Sequence, residues 1–403
     1  MNRHVNSQIY MIVTFLEEGV GGVETLVMRT AKKLVALGEK LSIVTCYFID
    51  SAERREKFCF KKFVEGITIY RIPALHGFTT LNACLFFIGC FIVFLSTFKK
   101  TTILHAFQVN SSGVIACLLK KTLKLRVIVQ DICGGSVGDI ATLKQMPFSK
   151  YLIGLAKKAD IYISPSTQIT QELMDVGFLP AKIKAVAHGV DIDIFSPLND
   201  KEQDLLNRKR LSLHGTRNVT FVGRLVPQKR PLFLLETWEL VIKEHTQLRL
   251  LIFGEGELED ELKKFCKEKG LETSVNFMGV IKKLLPYYRA TDVFVLPSCD
   301  EGVSIALLEA MSCGLAIVAS NVPGNTEVIH ERKSGLLFEK EDRVECAQKI
   351  AALLKDEELA NRLKNGARKA VVEKYSSDVM AKALIEVYRK LLPKKVVGKK
   401  KTL

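Results

Sequence analysis

The 403-residue sequence has no CxxC pair and no Cys/His cluster at zinc-ligand spacing. Its ten cysteines (Cys46, Cys59, Cys84, Cys90, Cys117, Cys133, Cys266, Cys299, Cys313 and Cys346) are singletons. Most lie inside apolar runs, where a thiol behaves as a small hydrophobe. A disulfide-stapled or zinc-knuckle fold is therefore excluded. No secretory signal is evident, so a reducing cytoplasmic protein is expected, with a peripheral place at the inner face of the plasma membrane as an option. The chain also lacks a GxGxxG fingerprint and a P-loop GK[ST]. No zinc finger or RNP-like aromatic motif accompanies the net charge of +15, which argues against nucleic acid as a partner. An anionic membrane surface or a phosphorylated small molecule remains, beside a plain solvated basic face. The charge is concentrated in Arg54-Arg55, Lys61-Lys62, Lys99-Lys100, Lys120-Lys121 and the lysine-rich end.

What is present is alternation. QIYMIVTF (Gln8 to Phe15) reads as a buried strand, and ETLVMRTAKKLVAL (Glu24 to Leu37) has helical spacing with Gly38 as its cap. Strand-like runs follow at Leu41 to Phe48, Ile67 to Ile72, Thr102 to Phe107, Arg126 to Asp131 and Asp160 to Ser166. Residues 196–217 are polar and read as a linker with room for a short helix. Alternation resumes with NVTFVG, LRLLIFG, VNFMG, VFVLPS, LAIVAS and GLLFE. Alternating strands and helices imply a mainly parallel sheet covered on both faces. The expected organisation is an α/β domain over 1–195, a second over 218–375, a helix over 376–392 and a basic tail over 393–403. Ligands of such sheets bind beyond the carboxyl ends of the strands, so a cleft between the domains is expected.

One run stands apart. LNACLFFIGCFIVFLSTFKK (Leu81 to Lys100) carries no charge until its closing lysines. Its length is at the lower edge for a membrane span. Asn82, Gly89, Ser96 and Thr97 weaken that reading. A buried helix, or a helix lying partly in a leaflet, are the alternatives.

Three stretches carry candidate chemistry. In DEGVSIALLEAM, Glu301 and Gly302 lie just ahead of a helix that contains Glu309. The N–H groups of Gly302, Val303 and Ser304 at that helix start favour an anion. Two carboxylates so placed suit hydroxyl-bearing parts of one ligand on either side of a phosphate. In FVGRLVPQKR, Arg224 and Lys229 follow a strand and a glycine, a fork and a point charge suited to a diphosphate. In FLEEGVGGVE, Gly19, Gly21 and Gly22 end a strand and open a helix, the form of a phosphate-cradling turn.

Together these motifs resemble the retaining group-1 glycosyltransferases, often called family 4. DEGVSIALLEAMSCGLAIVAS is similar to their E-x7-E signature, GRLVPQK to their diphosphate-binding pair, and GVGGVE and HGVDIDIFSP to two further hallmarks. The resemblance implies the GT-B fold: two Rossmann-like α/β domains facing each other across a cleft. It implies transfer of a hexosyl group from a nucleotide-diphosphate sugar, commonly of the UDP type, to a saccharide or lipid-linked acceptor. Glu309 would bind the ribose hydroxyls and Glu301 the transferred sugar. Gly302, Val303 and Ser304 would face that sugar or its phosphate. Arg224 and Lys229 would neutralise the leaving diphosphate, with Gly21 and Gly22 against it. Gly254, Gly279 and Val280 would flank the base. His105 and Asp131 are candidates on the acceptor side. Gln130 stands where many relatives have histidine and cannot be a base. CGGSVGD (Cys133 to Asp139) is expected to be a mobile acceptor loop. No metal or other cofactor is expected, Asp191 to Asp193 being read as a turn that mimics a metal motif of a different fold. A catalytically degenerate binding protein of the same fold is the alternative.

Overall fold

Apolar runs without polar alternation build the strands, as sheets covered on both faces require. Ile103–Phe107 is buried at every position. The structure, a computed structural model, describes residues 8–16, 21–49, 59–77, 79–97, 102–198, 200–244 and 247–392. Gly19, Arg54-Arg55, Lys99-Lys100 and the basic tail lie outside the described residues.

The first sheet has eight strands in the order β3-β4-β2-β1-β5-β6-β7-β8. They are β1 Gln8–Phe15, β2 Lys40–Phe48, β3 Lys61–Val64, β4 Ile67–Ala74, β5 Ile103–Phe107, β6 Arg126–Gln130, β7 Ile161–Ser164 and β8 Ile183–Ala185. All pair in parallel except β3 with β4. Glu65 and Gly66 join those two with φ of 46° and 82°, the turn that suits a two-residue hairpin. The second sheet is β11-β10-β9-β12-β13-β14, all parallel. Its strands are β9 Arg217–Val222, β10 Leu248–Phe253, β11 Val275–Gly279, β12 Val293–Leu296, β13 Ala316–Ser320 and β14 Leu336–Phe338. Strand order reverses at β1/β5 in one sheet and at β9/β12 in the other, the places where open α/β sheets hold ligands.

The stretch 196–217 does hold a short helix, Lys201–Arg210, capped by Asp200 through bonds from Glu202 N and Gln203 N. Arg208 on that helix reaches Asp292 at 3.3 Å, which fixes it to the second unit. Its charged composition suits a helix with no buried residue.

Helix α1 (Gly22–Ala36) and helix α2 (Thr79–Thr97) cover the first sheet. Helix α2 is the long apolar run. Phe86, Cys90, Val93 and Phe94 are buried in the core, and Asn82 exchanges two hydrogen bonds with the backbone of Leu75. The opposite side is open: Ile88, Ile92 and Leu95 are 53%, 54% and 59% exposed. The buried-helix expectation thus holds for one face only. Among the described residues, no helix is long and apolar enough to cross a membrane.

After the second sheet the chain returns to the first. The helix Ser377–Leu391 buries Met380, Ala381, Leu384, Ile385, Val387 and Tyr388 in the cluster that includes Leu26, Val27 and Leu34 of α1. Lys33 pairs with Asp378 at 2.7 Å. The Tyr388 hydroxyl and His105 Nδ1 share a hydrogen bond of 2.8 Å in the buried interior. Substituting Tyr388→Phe strips His105 of that partner. The expected loss is about 1–3 kcal/mol, seen as a lower urea midpoint; an unchanged midpoint would show that the pair adds nothing to stability.

Candidate functional site

The loops after β9 and β12 meet at the carboxyl edge of the second sheet. Cys299 N donates to Gln228 O at 2.9 Å, and Gln228 Nε2 donates to Asp300 O at 3.0 Å. This stitching brings Lys229 onto Glu301 Oε1 in a short ion pair, and Ser298 Oγ donates to the same oxygen at 2.7 Å. Glu301 is buried. A buried carboxylate stays charged only when it is paired and hydrogen-bonded, which Lys229 and Ser298 supply.

Ser304 then caps the helix Ile305–Ser312, its Oγ accepting from Leu307 N. A serine is a strong N-cap, so the hydroxyl secures this helix start. Glu309 sits inside this helix and is buried. Its Oε1 meets Arg29 Nη2 at 2.5 Å, and its Oε2 accepts from the Tyr288 hydroxyl at 3.2 Å. Arg29 belongs to α1 of the first unit. Gly22 opens that helix with φ of 95° at Gly21 before it, and a side chain at Gly22 would come within 3.9 Å of Ile305 Cδ1. The two helices therefore lie side by side, start against start, Gly22 opposite Ile305 and Arg29 opposite Glu309. Two helix N-termini beside Lys229 make a strongly anion-favouring place.

Arg224 follows β9 and is exposed, with no ion pair among the described residues. Gly254 and Gly279 end the neighbouring strands β10 and β11 and are joined by a bond from Gly254 N to Gly279 O at 2.9 Å. Gly254 has φ of 127°, and a Cβ there would overlap the carbonyl of Gly223. Only glycine lets these loops lie so close. Val280, beside them, is exposed. Tyr287 packs on Phe253 at 5.0 Å between ring centroids, while its neighbour Tyr288 reaches Glu309. The helix Leu285–Arg289 thus links the shelf formed by Gly254 and Gly279 to Glu309.

The first unit contributes the loop Cys133 to Asp139. It is clipped rather than free. Ser136 N donates to Asp300 Oδ2 at 2.7 Å, Gly135 N to Glu172 Oε1 at 2.8 Å, and Gln168 Nε2 to Asp300 Oδ1 at 3.3 Å. A Cβ at Gly135 would overlap the Asp300 carboxylate. The glycines that suggested mobility serve close approach between the two units.

Asp131 and His105 are not brought to this cleft surface. His105 has no exposed surface; burial lowers its pKa to about 3, so it is neutral, and it stacks on Phe107 at 4.5 Å. It fixes the returning C-terminal helix. Asp131 is fully buried and neither carboxyl oxygen has a hydrogen-bond partner. Burial first, and the neighbouring Asp139 charge second, push its carboxyl well above the usual carboxylate range. Burial also pushes Asp139 up to about 6, against the favourable N–H groups of Val109 and Ile132. Asp131 is therefore walled off from the cleft surface and poorly placed to replace the base that Gln130 leaves missing. Asp191 is a turn residue, its Oδ1 accepting from Asp193 N and Ile194 N. His188 is buried and its Nε2 faces Ile132 O at 3.4 Å.

Sequence reasoning missed Arg29, Tyr288, Ser298 and Asp300. Arg29 had a signal: it lies seven residues after Gly22, two helical turns along the same face.

Residues 203–370 match the family described as Glycosyl transferases group 1, and residues 20–194 match Glycosyltransferase Family 4. This chain belongs to the group 1, family 4 glycosyltransferases. It is 32% identical over 201 residues to an Escherichia coli UDP-Gal:alpha-D-GlcNAc-diphosphoundecaprenol alpha-1,3-galactosyltransferase, covering 49% of this chain and 51% of that protein. It is 29% identical over 251 residues to a D-inositol 3-phosphate glycosyltransferase of Corynebacterium jeikeium, covering 59% of each. The chain thus spans little more than half the length of these curated relatives. Anabaena Alr3699/HepE in complex with UDP and glucose superposes with a TM-score of 0.76 at 17% identity, over 94% of this chain and 99% of that one. This group 1 glycosyltransferase therefore has the GT-B fold.

The buried acids make a pH prediction. Asp131 and Asp139 both have folded-state pKa values above their unfolded ones, so the folded state binds more protons once the pH passes about 4. Their contribution favours the fold at acid pH and is lost as pH rises through the folded values. Asp131→Asn removes one of the two raised acids. Between about pH 5 and about pH 8 the variant's melting temperature is expected to fall less than the wild type's; parallel curves would refute a raised Asp131 carboxyl.

Proposed function

We propose that this group 1 glycosyltransferase moves a hexosyl group from a UDP-type nucleotide-diphosphate sugar to a saccharide or lipid-linked acceptor, with retention at the anomeric carbon. The observation that carries this reading is the pair of buried carboxylates, Glu301 and Glu309, flanking two abutting helix starts and Lys229. Glu309 takes the ribose hydroxyls and Glu301 those of the transferred sugar. Gly254, Gly279 and Val280 form the shelf beside the base.

Breaking the sugar–phosphate bond leaves positive charge on the anomeric carbon and negative charge on the diphosphate. Lys229, Arg224, the starts of α1 and of Ile305–Ser312, and the backbone at Gly22, Gly302, Val303 and Ser304 stabilise that diphosphate. Fixed charge aimed at developing charge is where a preorganised site gains most. Neither glutamate is a free nucleophile: Glu301 is bound to Lys229 and Ser298, and Glu309 to Arg29 and Tyr288. With Asp131 and His105 both buried away from the cleft surface, the departing diphosphate oxygen takes the acceptor's proton on the face it leaves. Uridine nucleotides bound in solved neighbours and the UDP-Gal donor of the Escherichia coli relative support a UDP-type donor. That relative's diphosphoundecaprenol acceptor supports a lipid-linked one.

The outward face of α2 supports a peripheral place on an anionic membrane. Ile88, Ile92 and Leu95 make an apolar stripe at helical spacing, and Lys99 and Lys100 follow in sequence. Such a combination rests a helix at a headgroup boundary without spanning the bilayer.

Two measurements test these readings. In a thermal-shift panel of UDP, GDP and ADP, one nucleotide is expected to raise the melting temperature of the wild type and to leave Glu309→Ala unmoved, by the linkage RT ln(1 + [L]/Kd). No shift with any of the three would overturn the donor assignment. In cosedimentation with phosphatidylglycerol vesicles, Ile88→Glu/Ile92→Glu is expected to cut the bound fraction several-fold relative to wild type. Equal binding by both proteins, or none by the wild type, would remove the membrane role of α2.

A further inference from the structure

Arg29 is the charged residue of the cleft to which the reading above gives no task of its own. It reaches from α1 in the first unit to Glu309 in the second, Nη2 to Oε1 at 2.5 Å. Nη1 donates to the carbonyl of Gly189 at 3.2 Å, and the guanidinium stands 5.4 Å over the Phe195 ring. The two ion-paired side chains are only 10% and 8% exposed. The pair is therefore built and desolvated, unlike a surface contact.

An ionised carboxylate has about four acceptor positions, two on each oxygen. In Glu309, Arg29 occupies one on Oε1 and Tyr288 one on Oε2. One remains on each oxygen, the number that two vicinal hydroxyls need. We propose that Arg29 is a positioning residue for the donor: it holds Glu309 charged and turned so that the carboxylate takes both ribose hydroxyls of a nucleoside diphosphate sugar. This inference rests on reading Glu309 as the ribose ligand. It makes the first unit part of the nucleotide site, through a residue that touches no nucleotide itself.

The titratable and charged groups facing Glu309 are Arg29 from α1, Tyr288 from the helix Leu285–Arg289 and Cys313 from the end of its own helix. Burial pushes Tyr288 well above its ordinary value and Cys313 up to about 12, so both are neutral near pH 7. Burial raises Glu309 too; Arg29, then the Tyr288 hydrogen bond, oppose it. Without the guanidinium the carboxyl moves further up. A protonated Glu309 loses acceptor positions and grips ribose poorly.

The test is calorimetric titration with UDP-glucose from about pH 6 to about pH 8.5, a range over which its doubly esterified diphosphate keeps a constant charge. Wild type, Arg29→Gln, Arg29→Lys and Glu309→Gln are compared, with melting curves of each empty protein. The wild type is expected to bind with a flat profile. Arg29→Gln should bind about tenfold more weakly at the acid end and recover as pH rises, since an acid with a raised pKa ionises in that direction. Arg29→Lys should restore most of the affinity and the flat profile, even if its melting temperature falls. Arg29→Gln with wild-type affinity and a flat profile would reduce the pair to a domain contact and overturn the proposal. Tighter binding by Arg29→Gln would also overturn it, by showing that Arg29 competes with ribose for Glu309. A wild type that does not bind, or Glu309→Gln binding as well as wild type, would mark failure of the donor reading itself and end this inference with it.

Discussion

A carboxylate shut away from water must have a partner, or it takes a proton. Most of the cleft follows from that constraint. Glu301 and Glu309 are both buried, and each faces a cation: Lys229 from the same α/β unit, Arg29 from the other. The loop after β9 must carry Lys229 to the loop after β12. Helix α1 must run beside Ile305–Ser312 so that Arg29 can reach. Deeper in the first unit the same constraint is met in the opposite way. The charged neighbours of Asp131 are the acids Asp139 and Glu172, and its carboxyl is pushed well above the usual carboxylate range instead. One chain thus contains both solutions to the same electrostatic problem, and the difference decides which acids can grip a ligand as anions.

The placement of these charges also orders the chemistry. Helix starts supply positive potential without the desolvation cost of a buried ammonium, because their N–H groups are part of the fold. Glycine at 22 and 302 keeps those starts open to close approach. In the proposed function the glutamates act on hydroxyls, where a short, oriented hydrogen bond selects a ligand's shape more than its charge. Lys229, paired with Glu301, would stand between the two functions, since in that reading it also faces the diphosphate.

Much of the sheet architecture was legible because parallel strands are apolar throughout, and runs such as LLIF and VFVL cannot be surface segments. Short edge strands were not. Lys61–Val64 begins with two lysines and shows only as a block of charge, since an edge strand exposes one side to solvent. The bounds of the short linker helix Lys201–Arg210 were not legible for a related reason: a helix without a buried residue has no apolar periodicity to mark its ends. In the cleft, glycine and charge spacing marked the loops after β1, β9 and β12. The pairing of residues far apart in sequence left no trace. Arg29 and Glu309 are 280 positions apart, and Thr167 and Glu327, which also join the two units, are 160 apart. The glycines of the Cys133 loop were legible as residues, yet the same composition serves mobility or close packing, and only Asp300 decides between them.

The chain passes between its two units twice, once near Val190 and again near Ser376. These passages touch: Val190 N donates to Tyr375 O and Ser377 N to Val190 O, each at 2.8 Å, in a single parallel bridge. Two bodies joined by widely separated tethers would be locked, and by one tether would tumble. Joined at one doubled point, they are left chiefly with bending and twisting about it. Gly189, adjacent to that point, also accepts from Arg29. The pivot and the cleft are thus in contact through Arg29, so a rotation at Val190 would be carried along α1 to the gap between Gly22 and Ile305.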